Sequence, residues 1–183
     1  FDNFSRDCQN PAFTSGYQDN YLTHRDREWP TSFIVSRKYP RLVYSIIHGE
    51  YHGHLRFSQC NNDYVGCWQN YLTSALSFDG MRSLDPTTVS LLATTTQRYL
   101  TNRGPMGVFH PSNIQRKLEP NGEAFYYFLG HVEARKNTAQ IPLAPQEQQT
   151  GVCLYRSPEN GRLGLPSGDW MAWDGSGFNA DPA

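Results

Sequence analysis

Half of the six histidines fall within the segment His48-Gly49-Glu50-Tyr51-His52-Gly53-His54-Leu55-Arg56. If the chain is extended here, side chains alternate across it, and His48, Glu50, His52, His54 and Arg56 share one face. A row of imidazoles with a carboxylate suits two chemistries. A glutamate or histidine can act as base and a second histidine as acid, with Arg56 holding a developing anion, as phosphodiester cleavage requires. Alternatively, His52 and His54 bind a divalent metal, with Glu50 or His48 completing the ligand set. A third reading carries no chemistry. Gly49 and Gly53 bracket Glu50-Tyr51-His52, so the same residues can form a hairpin turn between strands 41–48 and 53–58, with imidazoles that do not face one point.

The second imidazole of an acid–base pair would be His110 or His131. His110 lies in the loop Gly107-Val108-Phe109-His110-Pro111, and loops often carry function. His131 sits late in an apolar strand, where a hydrogen-bonded core histidine is the commoner role. His24 stands in a charge run and reads as a surface residue. Neither Gly-x-Ser-x-Gly, a P-loop, a dinucleotide-binding glycine pattern nor His-Glu-x-x-His occurs, which argues against nucleotide-driven enzymes and the familiar serine hydrolases and zinc proteases.

Aromatic residues offer a different function. Trp68, Tyr71, Trp170 and Trp173 lie in polar, Gly- and Asn-containing contexts. Flat rings there can stack on sugars or anchor a protein partner, or each can simply cover part of the core from a loop.

Several strands and one helix would carry these groups. Residues 32–36, 41–47, 53–58 and 71–78 have the composition of strands. Asp85 as N-cap, Pro86 at the first helical position, and Val89, Leu92, Ala93, Thr96, Tyr99 and Leu100 at helical spacing predict a helix over about 86–101, ended by Gly104-Pro105. Residues 123–134 read as a central strand. Val152 to Ser157 and Arg162 to Leu165 read as a hairpin around Pro158-Glu-Asn-Gly161. Residues 1–30 read as a surface-wrapping segment and 170–183 as a loosely held tail. With no repeat and no linker, the expectation is one domain of α+β class, a mainly antiparallel sheet with one principal amphipathic helix.

The four cysteines, Cys8, Cys60, Cys67 and Cys153, are even in number in a chain with many Tyr and little Lys. The reading is two disulfides and an oxidising compartment, a local Cys60–Cys67 bridge leaving Cys8 to Cys153. Asn3-Phe4-Ser5 matches a glycosylation acceptor, and a start at Phe1 reads as a mature secreted protein with its signal peptide removed. A formal net charge of −1 gives no field that requires nucleic acid or an anionic membrane as partner, so nucleic acid enters only as a substrate. No apolar run is long enough for a membrane-spanning helix.

The functional expectation is a secreted, effector-like or toxin-like protein that binds an extracellular protein or glycan through exposed aromatic and Arg residues. The alternative is a small secreted hydrolase of the phosphodiesterase or nuclease kind, working through the histidine cluster with or without a metal.

Overall fold

Val43 to His52 carries bulky or β-branched residues at both parities, the composition of a strand covered on both faces. In the computed structural model, which describes residues 9–55, 68–95, 106–133 and 150–182, it is the strand β2 (Val43–His52), buried throughout except at half-buried Glu50. It follows β1 (Glu28–Val35) and pairs antiparallel with β3 (Trp68–Ser77) over its whole length, from Val43 opposite Ser77 to His52 opposite Trp68. Gly49 and Gly53 therefore do not bracket a turn.

The remaining strands are β4 (Asp85–Ala93), β5 (Met106–Phe109), β6 (Gln115–Leu118), β7 (Ala124–Glu133), β8 (Gly151–Asn160), β9 (Leu165–Pro166), β10 (Met171–Trp173) and β11 (Phe178–Ala180). They form one sheet in the order β1-β2-β3-β5-β7-β8-β10-β11, with β4 on β3, β6 on β7 and β9 on β8. Among the described residues only the β3–β5 pairing is parallel. Tyr44 and Ile46 of β2, Leu72 of β3, Val108 of β5, Phe128 of β7 and Tyr155 of β8 meet in a single core cluster. Strands so far apart in the order meet only if the sheet curls around them. Hydrogen bonds across the curl agree: Arg37 N donates to Gly164 O (3.3 Å) and Trp170 Nε1 to the Tyr44 hydroxyl (2.8 Å).

The opposite face of β2 and β3 is covered by the segment ahead of β1. Leu84 N donates to Ala12 O, and Phe13 packs on a second cluster of Ile47, Ala75 and Leu84. The Tyr71 hydroxyl accepts from Asp26 N (2.6 Å) and donates to Asp26 O (2.8 Å).

The α+β expectation is corrected. Among the described residues the only helical elements are two short 3-10 turns, Tyr21–Thr23 and Gly53–Leu55. The expected helix over 86–101 is strand β4 as far as Ala93; residues 96–101 lie outside the described set. The local signal at its start was real. The Asp85 side chain accepts from Thr87 N (2.8 Å), the bond an N-cap makes to the second helical residue, but here it closes a turn that leads into extended chain. Thr87, Thr88 and Val89 are β-branched and stiff at χ1, which penalises helix. The Thr88 hydroxyl accepts from Leu76 N (2.8 Å) and the Ser90 and Ser74 hydroxyls meet at 3.0 Å, contacts available only to a strand beside β3.

The disulfide expectation is corrected at the one cysteine among the described residues. Cys153, half-buried on β8, is a free thiol, so no Cys8–Cys153 bridge forms. Its proton affinity is raised by burial. Cys8, Cys60, Cys67 and the sequon at Asn3 lie outside the described residues, as does Arg56. Among the described residues no helix is long and apolar enough to cross a membrane.

Candidate active site

Alternation along β2 sends Tyr44, Ile46, His48, Glu50 and His52 to one face. Tyr44 and Ile46 belong to the core. The same row continues past it as His48, Glu50 and His52, so the folding pattern that builds the core also delivers ionisable groups to its end. His48 is 5% and His52 6% exposed.

The Glu50 carboxylate sits between two imidazoles. Its Oε2 accepts from His52 Nε2 at 2.9 Å, and its Oε1 lies 3.9 Å from His48 Nε2. Opposite Glu50 on β3 stands Asn70, fully buried. Asn70 Nδ2 donates to Met106 O (3.2 Å), which turns its Oδ1 toward His48 Nε2 at 2.9 Å. An amide oxygen only accepts, so His48 must present Nε2–H, and neutral His48 keeps its lone pair on Nδ1. Burial holds the His48 pKa below 6.5, with His110 pushing the same way, against the Asn70 hydrogen bond and the Glu50 charge, which favour protonation. At neutral pH His48 is therefore a proton acceptor.

Asn70 stays in place because β5 comes unusually close. A Cβ at Gly107 would lie 2.0 Å from Asn70 O, and Gly107 has φ +119°. Only glycine permits this approach. β5 then ends in Phe109 and exposed His110, whose ring centroid is 5.7 Å from that of His48. His110 has φ 40° and Arg27 φ 45°, left-handed conformations that side-chain-bearing residues rarely adopt. Such strain gathers at functional sites. Arg27 O accepts from Glu50 N (3.2 Å), and the Arg27 Nε is buried with no hydrogen-bond partner among the described residues. The Arg27 charge is one cause of the depressed His54 pKa, after burial and His52. Trp29, 47% exposed, lies opposite His48 on β1 with ring centroids 6.0 Å apart.

The structure thus brings His48, Glu50, His52 and His110 together. His54, in the turn after β2, has its ring centroid 5.5 Å from that of His52. Among the described residues no group of three or more His, Cys, Asp or Glu side chains could hold a metal ion. His131 pairs with Phe109 across β5 and β7, and its ring contact is with Phe109. The aromatic set does not form one surface. Tyr71 and Trp170 are buried, the Trp68 ring lies tilted against that of His52 with centroids 4.7 Å apart, and Trp173 is 46% exposed. No family model, curated protein or solved structure matches this chain.

Sequence reasoning missed Asn70, Gly107, Arg27 and Trp29. Gln69-Asn70 just ahead of the strand-like run from Tyr71 was a usable signal, because a buried amide needs partners and usually positions something. Arg27 and Trp29 carried none. Their place follows from the β1–β2 register.

Proposed function

We propose that the chain is a small hydrolase that cleaves phosphodiesters by acid–base chemistry. The observation that carries this reading is the fixed tautomer of His48, with its Nδ1 lone pair, beside the exposed imidazole of His110. His48 Nδ1 takes the proton of the attacking hydroxyl as the new P–O bond forms. Protonated His110 gives its proton to the departing alkoxide oxygen as the old P–O bond breaks. Glu50 offsets the positive charge that appears on His48, and Arg27 supplies positive charge for the phosphoryl oxygens.

The test is turnover of RNA, single-stranded DNA and a chromogenic phosphodiester by the wild type, His48→Gln and His110→Ala. Glutamine keeps a donor for Asn70 and removes the lone pair. Turnover of at least one substrate is expected, falling by roughly 100- to 10,000-fold in each variant with folding retained. Absence of turnover on all three substrates, or unchanged turnover in His48→Gln, would overturn the reading.

Action outside the cell is part of the same proposal. It rests on the low Lys content, the even cysteine count and the Asn3 sequon, and no longer on a Cys8–Cys153 bridge. A second reading, binding of an extracellular protein or glycan, is favoured by one patch. Arg156 lies over the rings of Phe125 (4.4 Å) and Phe178 (4.1 Å), and exposed Trp173 packs edge-on to Phe178. Loss of partner capture in Trp173→Ala, with phosphodiester turnover untouched, would support it.

A further inference from the structure

Strict alternation along β1 would put Trp29, Thr31, Phe33 and Val35 on one face, and all four are exposed. The register is different. Phe33 stands opposite Ser45 and Val35 opposite Val43, on the side of β2 away from Tyr44, Ile46 and His48. Trp29 stands opposite His48 itself. The register shifts between Pro30 and Ser32, where Thr31 is the extra residue of a bulge and its hydroxyl donates to Ile46 O (3.1 Å). A bulge re-aims the side chains beyond it. One inserted residue thus carries Trp29 from the Phe33 side of the strand to the side of the histidine cluster.

The backbone that presents Trp29 is fixed on both sides. Buried Glu28 accepts from Gly16 N (2.8 Å) and Arg25 Nε (3.1 Å) through its Oε2, and Glu28 N donates to Ser15 Oγ (2.7 Å). Pro30 has its φ locked by its own ring. The indole centroid lies 6.0 Å from that of His48, yet 47% of the residue stays exposed. An indole held this way is a flat apolar surface that loses little chain freedom when a flat guest covers it.

We infer that Trp29 is the platform on which a nucleobase beside the scissile phosphate stacks, so that the site takes single-stranded nucleic acid. The inference rests on the phosphodiesterase reading and narrows it to one substrate class. Phosphodiesters differ in the groups they join. A nucleoside presents a π-face one sugar away from its phosphate, whereas a glycerol or sugar ester presents none. In a duplex both faces of a base are already stacked on neighbours, so only an unpaired strand offers one. A formal net charge of −1 supplies no general attraction for a polyanion, and affinity must then come from contacts of this kind.

The test measures binding by calorimetry in His48→Gln, where the proposed base is absent and stacking is read apart from cleavage. The probes are a short single-stranded oligoadenylate, an abasic oligomer of the same length, and the oligoadenylate paired with its complement. The unpaired oligoadenylate should bind at least tenfold tighter than the other two. Adding Trp29→Ala should weaken it roughly 10- to 100-fold and erase its advantage over the abasic oligomer, and Trp29→Phe should restore most of the affinity. Trp29 is exposed, so the variants should melt close to His48→Gln alone. No binding of oligoadenylate, equal affinity for the abasic oligomer, or full affinity after Trp29→Ala would overturn the inference, even with phosphodiester turnover by the wild type. Trp29-dependent binding without any turnover by the wild type would instead sink the hydrolase reading and leave the base-stacking site standing.

Discussion

The two ends of the β2–β3 ladder differ in how far their hydrogen bonds have a fixed direction. At one end the Trp170 indole, which can only donate, gives its hydrogen to the Tyr44 hydroxyl, and beyond it the Ser74 and Ser90 hydroxyls meet at 3.0 Å with either able to donate. At the other a chain starts from a group that can only accept, Met106 O. It runs through Asn70 and His48 Nε2 and finishes in a lone pair on His48 Nδ1. Two hydroxyls can exchange donor and acceptor roles, whereas an amide cannot, so only the second chain fixes what its last group offers. The proposed base stands at the end whose direction is fixed. Solvation sharpens the contrast, because burial pushes the Tyr44 pKa up to about 12 and the His48 pKa down. Both shifts favour the neutral form, but only the imidazole is then a useful base at neutral pH.

The largest effect should come from the residue that lets the acceptor-ended chain form. Gly107→Ala places a methyl against the Asn70 backbone at φ +119°. Strain and overpacking together should cost about 2–5 kcal/mol in denaturant unfolding, with loss of turnover. A variant of wild-type stability would show that the close approach of β5 does not hold the site.

Asn70→Leu should come next. It keeps the volume but leaves His48 Nε2–H and Met106 O without their partner, at a cost of roughly 1–3 kcal/mol. With the tautomer no longer fixed, turnover should fall as well. Stability loss without any effect on turnover would separate Asn70 from the chemistry.

Much of this arrangement was legible in the sequence. Period-2 spacing placed His48, Glu50 and His52 on one face, and β2 keeps them there. The hairpin alternative failed because Tyr51 and His52 still pair with β3, and no local signal says how far a ladder extends. The helix at Asp85 failed for a related reason. An aspartate before Pro86 makes the same first hydrogen bond in a turn as in an N-cap, and only the neighbouring strand decides whether the chain then coils or extends. Asn70 and Gly107 escaped because their role lies in the parallel approach of β5 to β3, a pairing between distant stretches of chain. The Trp170–Tyr44 bond and the Ser74–Ser90 contact were invisible for the same reason, since each joins separate stretches of chain.

The smallest predicted effect is on stability with pH. His24, His48 and His54 all have pKa values below 6.5 in the folded chain, each chiefly through burial. The unfolded chain then binds more protons between those values and 6.5, so stability should fall as the pH drops from 6.5 through that window. The melting temperature should decline on acidification, and His48→Gln should decline less steeply than the wild type. A melting temperature that rises on acidification across this range would contradict the burial account.

The acid–base reading turns on which nitrogen of His48 carries the hydrogen. Nitrogen-15 NMR of the imidazole at neutral pH reads it directly. The account predicts a neutral ring protonated at Nε2 with a bare Nδ1, titrating below 6.5. A hydrogen on Nδ1, or a ring still charged at neutral pH, would contradict it.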